Sequence, residues 1–250
     1  MNDGKRNFLA VSIITAFLFM NSTAGHAVPS ASPLALNSAM KKQVTAAQKM
    51  LNAIRVTTSA DPRDYDRDFH FGDAWVDVEN NRCDTRNDIL RRDLTNEVFD
   101  GSCTILSGVL KDPYTGKTIN FKRGVSTSLA VQIDHVIPLH LAWQYGAANW
   151  TLGKRVAFAN DPINLIAVDG PTNSRKSDSG PDAWLPPREK YQCTYSIRFI
   201  RVAYLYQVKI TPASKSVLAS ELKSCAVVYG KPALLSPLSK ALWPRAAEIA

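Results

Sequence analysis

Apolar and polar positions change rhythm several times along the chain. From 39 to 54, AMKKQVTAAQKMLNAI repeats its apolar residues every three or four positions, the period of an amphipathic helix. The stretch before it, VPSASPLALNS, is rich in Pro, Ser and Ala and reads as a flexible leader. DPRDYDRDFHFGDAW keeps neither period and reads as irregular. After Cys83, DTRNDILRRDL opens on an N-cap candidate, Asp84 or Thr85, and predicts a helix with Ile89 and Leu90 inward and Arg86, Arg91 and Arg92 largely outward. CTILSGVLKD alternates, DPYTGK signals a turn, and TINF pairs back as the second strand of a hairpin. LAVQI is the next short strand, and Pro138 suits the first turn of a helix through LHLAWQYGA. KRVAFAND predicts a short helix, NLIAVD an apolar strand, PTNSRKSD another short helix and WLPP a break. REKYQCTYSIRFIRVAYLYQV and TPASKSVLASELKSC read as the last two helices, before a Pro/Ala-rich tail at 226–250. No internal repeat is present. The pattern predicts an α+β fold.

The N-terminus adds a compartment. Lys5 and Arg6 precede an uncharged run, Phe8 to Met20, and small residues follow in STAGHA. This is the layout of a secretory signal peptide, here 1–27, with cleavage after Ala24 or Ala27. The run is too short for a transmembrane helix, which needs about 20 residues. The remaining divisions expected are a leader with an N-terminal helix (28–64), one domain (65–225) and the tail (226–250). The destination is secreted or periplasmic, without a stable membrane anchor.

Charge narrows the partners. The chain holds 30 Lys+Arg and 22 Asp+Glu; without Asp3, Lys5 and Arg6 it keeps 28 against 21, a net +7. Such a balance favours polyanions: nucleic acid, anionic lipid or cell-wall polymer. The four cysteines, Cys83, Cys103, Cys193 and Cys225, suggest two disulfides in an exported protein. Three connectivities are open; the local one, Cys83–Cys103 with Cys193–Cys225, is expected. A zinc site is the weaker reading, since no pair has C-x2-C spacing.

The chemistry concentrates in QIDHVIPLHLAW, where Asp134 stands beside His135 at the end of a predicted strand. Downstream come a strand opening at Asn164 and a short helix containing Asn173 and Lys176. Strand, strand and helix in this order follow the logic of a ββα-metal site, in which one strand residue and one helix residue share a Mg²⁺. Asp134 and Asn173 are the candidates, both oxygen donors suited to a hard cation. Alternation points His135 to the other face, where an imidazole can activate water near neutral pH.

IDHVIPL, FANDPINLIAVDGPTNSRKSD and WLPP together resemble the secreted HNH endonuclease family, related to the C-terminal nuclease domain of modification-dependent restriction enzymes. CDTRNDILRRDL and DPYTGK extend the likeness over roughly Tyr65 to Cys225. The chain has Asn173 where the commoner HNH pattern has its last His, as in the HNH domain of CRISPR effector nucleases. The resemblance implies a ββα-metal core with an added hairpin and packing helices, and a divalent-metal-dependent endonuclease. It implies a catalytic set of His135, as general base, and Asn164, the central Asn of the motif, bracing its loop. Asp134 and Asn173 would hold Mg²⁺ (or Mn²⁺), Lys176 would meet a phosphate, and Arg86 and Arg92 would contact the nucleic-acid backbone. The expected substrate is DNA, with RNA as a second possibility, cut with low sequence specificity by a monomer. The other function class is a non-catalytic binder of nucleic acid or an anionic surface on a degenerate nuclease fold.

Three features stand outside this reading. GPTNSRKS comes near a phosphate-binding loop, but Arg175 replaces the second glycine, where backbone must approach phosphate. His70 and His140 fit no motif.

Overall fold

The computed structural model describes residues 33–225, with side chains from Met40 onward; the expected signal peptide and tail lie outside this range. Helix α1 (Pro33–Ala53) begins inside the segment expected to be a flexible leader. Proline, with its preset φ and missing N–H, is suited to that first turn. A second departure is α2 (Arg67–Phe71), a five-residue helix within the stretch read as irregular. Asp66 caps it, its carboxylate accepting from the Phe69 N–H.

Helix α3 (Thr85–Asp93) is capped by Asp84, whose side chain accepts from Asn87 N–H. It runs straight into β1 (Leu94–Phe99), a strand the sequence pattern did not separate from the helix. β1 pairs antiparallel with β2 (Ile105–Lys111), which pairs with β3 (Thr118–Lys122) across the DPYTGK turn. A second, two-stranded sheet joins β4 (Val131–His135) antiparallel to β5 (Leu165–Asp169), with Asp134 opposite Ile166 and His135 opposite Leu165. Between them lie α4 (Leu139–Gln144) and α5 (Leu152–Asn160). After β5 come α6 (Gly170–Lys176), α7 (Glu189–Tyr206) and α8 (Pro212–Cys225).

Strand alternation divides the β4–β5 hairpin between two apolar cores. Val131, Ile133, Leu165 and Ala167 join Ile89 and Leu90 of α3 and Leu94, Ile105, Leu110 and Phe121 of the three-stranded sheet. Ile166 and Val168 face the other way, into the core that includes α1, α4, α7 and α8 residues such as Leu51, Trp143, Phe199 and Leu218. Helix α6 lies on this second face. Asp169 caps it by accepting from the Thr172 N–H and hydroxyl. Gly170 opens it where a Cβ would fall 2.0 Å from the Leu129 carbonyl oxygen, so only glycine lets the helix start so close to the chain entering β4.

The local cysteine pairing is the one present: Cys83–Cys103 and Cys193–Cys225. The first staples the loop before α3 to the β1–β2 connection, the second joins α7 to α8.

Candidate active site

His135 ends β4 on the face turned toward α3. Its ring is half-buried. Nε2 lies 2.8 Å from the Ala159 carbonyl at the end of α5. A carbonyl only accepts, so Nε2 carries the hydrogen and Nδ1 is left with the lone pair. The Trp75 ring stacks on the imidazole, centroids 6.3 Å apart and 16° from parallel. Burial lowers the His135 pKa to about 4; the Ala159 contact opposes this, and the charges of Lys176 and Arg67 reinforce it. The ring is therefore neutral at neutral pH, with one nitrogen able to take a proton.

Asp134, one residue earlier, points to the α6 face and is 4% exposed. One carboxylate oxygen accepts from Lys176 Nζ at 2.8 Å, the other from the Tyr114 hydroxyl. Lys176 also donates to the His135 carbonyl at 2.7 Å. Burial pushes the Asp134 carboxyl up and the Lys176 ammonium down, while each partner's charge works against that shift. Both Tyr114 and Lys176 are fully enclosed.

Asn173, expected as the second metal ligand, donates from Nδ2 to Gln132 Oε1 at 3.0 Å. Gln132 precedes Asp134 by two residues, about 6.5 Å along a strand. The place over Asp134 belongs to Lys176, three residues further along α6. These residues do not fit a divalent ion as arranged: the carboxylate is already matched by an ammonium and a phenol, and a cation would be set against Lys176 at close range. Among the described residues, no group of three or more His, Cys, Asp or Glu is placed to hold a metal ion.

Two expected phosphate contacts are corrected. Lys176 is 0% exposed and cannot reach a phosphate. The Arg92 side chain is only 11% exposed; it pairs with Asp93 and donates to the carbonyls of Pro162 and Leu165. Arg198 donates to the same two carbonyls, so the two guanidinium groups clamp the turn into β5. Arg86 is half-buried, with one amine 3.3 Å from the Val131 carbonyl. Asn164 is fully buried. Its Oδ1 accepts from Ile137 N–H at 2.8 Å, its Nδ2 donates to Ile137 O, and its own carbonyl accepts from Val136 N–H. It fastens the exit of β4 and does not face a substrate.

Trp75 and Tyr114 belong to no motif of the sequence and enter the site only through the fold. Trp75 has a positive φ of 63°, and the carbonyls of Trp75 and Val76 accept from Thr85 at the start of α3. Tyr114 carried only a turn signal.

The family model for the C-terminal domain of GmrSD restriction endonucleases matches residues 84–220. A protein of Arthroderma benhamiae described as an uncharacterized secreted protein is 41% identical over 181 residues, covering 72% of this chain and 84% of that relative. No solved structure matches.

Proposed function

The chain belongs to the family of GmrSD restriction endonuclease C-terminal domains, and we propose that it is an exported endonuclease that hydrolyses phosphodiester bonds of DNA, and secondarily RNA, with low sequence specificity. The observation that carries this reading is the His135 ring, half-buried, neutral, tautomerically fixed by Ala159 and stacked by Trp75. Nδ1 takes a proton from water as the water oxygen attacks phosphorus, and the P–O3′ bond breaks with the 3′ oxygen taking a proton from solvent. No step is assigned to Mg²⁺ or Mn²⁺, because both Asp134 oxygens are engaged, by Lys176 and by Tyr114. Recognition runs through phosphates, which carry no sequence information. Export is supported by the N-terminal run, the two disulfides and the secreted description of the relative.

The pairing of Asp134 with Lys176 favours a second reading, a non-cleaving binder on the same fold. Mature protein incubated with unrelated plasmids, with Mg²⁺, with Mn²⁺ and with a chelator, separates them. Nicking of every plasmid is the expected result, and the chelator arm reads the metal dependence directly. Binding without nicking in all arms favours the binder; cutting at a single site contradicts low specificity.

A further inference from the structure

Burying Lys176 and Asp134 together strips water from two full charges, and an apolar pair of the same shape is often as stable. The ammonium does something an apolar side chain cannot. It donates at 2.8 Å to Asp134 and at 2.7 Å to the backbone carbonyl of His135. The strand's exit is held on its other side by Asn164, through Val136 N–H at 2.7 Å and Ile137 N–H at 2.8 Å. Tyr114 brings the β2–β3 turn to the same carboxylate, and Asp112 ties that turn to the Asp169 N–H at the end of β5. The Lys176 ammonium therefore joins the last turn of α6 to the end of β4, and Tyr114 brings the β2–β3 turn to the same carboxylate.

Resting on the reading of His135 as the base, we propose that Lys176 is a positioning residue: it fixes the His135 carbonyl and thereby aims the imidazole on the opposite face of the strand. The ring projects from the same Cα whose carbonyl Lys176 grips, so a rotation of that peptide moves Nε2 relative to Ala159. Misplacing a catalytic group by about 1 Å can lower a rate about 10²-fold. Lys176 itself is enclosed and touches no substrate.

The test compares wild type, Lys176→Met, the double variant Asp134→Asn/Lys176→Met, and His135→Ala in plasmid cleavage, with ¹⁵N spectra of the His135 ring. Lys176→Met should lower kcat about 10²-fold, leave KM within about twofold, and replace the single Nε2–H ring signature with mixed tautomers. The double variant removes both buried charges and should melt closer to wild type than Lys176→Met, so it serves where the single variant folds poorly; its kcat should stay low. Wild-type kcat with an unchanged ring signature in either Lys176 variant overturns the proposal and leaves the pair purely structural. Undiminished cleavage by His135→Ala instead removes the reading of the site on which the proposal rests.

Discussion

On the α6 face of the β4–β5 hairpin, the charge that strand β4 carries meets its opposite in a closed interior: buried Asp134 has Lys176 and the Tyr114 hydroxyl, both fully enclosed. On the α3 face, His135 is half-buried, stacked by a half-buried Trp75 and uncharged. One peptide bond separates Asp134 from His135, yet alternation sends the first into a saturated network and the second to an edge where one nitrogen keeps its lone pair. The difference shows that an Asp–His doublet need not act as one chemical unit. The α6 face holds the strand, and the α3 face carries the imidazole that we propose as the base.

The largest effect on stability should come from Asp134→Ala. It leaves Lys176 charged and unpaired in the interior, a loss of about 3–5 kcal/mol, read as a fall in the denaturant midpoint. His135→Ala, on the open face, should shift that midpoint far less. Equal shifts would erase the contrast between the faces.

The disulfides sharpen it next. Replacing either pair by serines should remove about 3–4 kcal/mol. Cys83→Ser/Cys103→Ser loosens the loop that carries Trp75 and should also lower kcat, whereas Cys193→Ser/Cys225→Ser, at the bond that joins α7 to α8 and holds no residue against the His135 ring, should leave kcat near wild type in the folded protein. Thermal melts and steady-state cleavage on the two variants check this, and equal kcat losses would count against it.

Tyr114→Phe is smaller. It removes one donor from the buried Asp134 carboxylate, about 1–3 kcal/mol, with kcat retained if the Lys176 grip on His135 persists. A melting series against wild type checks the first part, and cleavage rates the second.

A further test of the open face is in pH. His135 has a folded pKa of about 4, below the ordinary value of 6.5. Between those values the unfolded chain binds a proton that the folded chain refuses, so stability contributed by the neutral ring is present above about pH 6.5 and lost as pH falls toward about 4. Urea melts from pH 7 to pH 4 should show this slope in wild type and a shallower one in His135→Asn. Identical slopes would mean that the ring is not held neutral.

The framework of this site was largely readable in the chain. β4 and β5 announce themselves as short apolar runs, and the polar stretch PTNSRKSD after β5 reads as the helix that became α6. Helix α2 was hidden because five polar and aromatic residues show no period. β1 was hidden because LTNEVF follows the helix without a turn residue. The errors at Lys176 and Arg92 have a common cause. Both sit among polar neighbours, the usual company of surface residues, and both are buried by groups distant in sequence. Tyr114 arrives from the β2–β3 turn to complete the pocket around Asp134, and the carbonyls of Pro162 and Leu165 wait for Arg92. Helical spacing held one clue: Lys176 follows Asn173 by three positions, so a helix laid with Asn173 against the hairpin carries Lys176 inward as well.

The central claim is that the reactive group lies on the α3 face and is the His135 imidazole. Steady-state cleavage of plasmid DNA by purified wild type and His135→Ala, with melting curves showing that both are folded, tests it most directly. The account predicts a fall in kcat of about 10²–10⁴-fold with the melting temperature little changed. Cleavage by folded His135→Ala at the wild-type rate would contradict it.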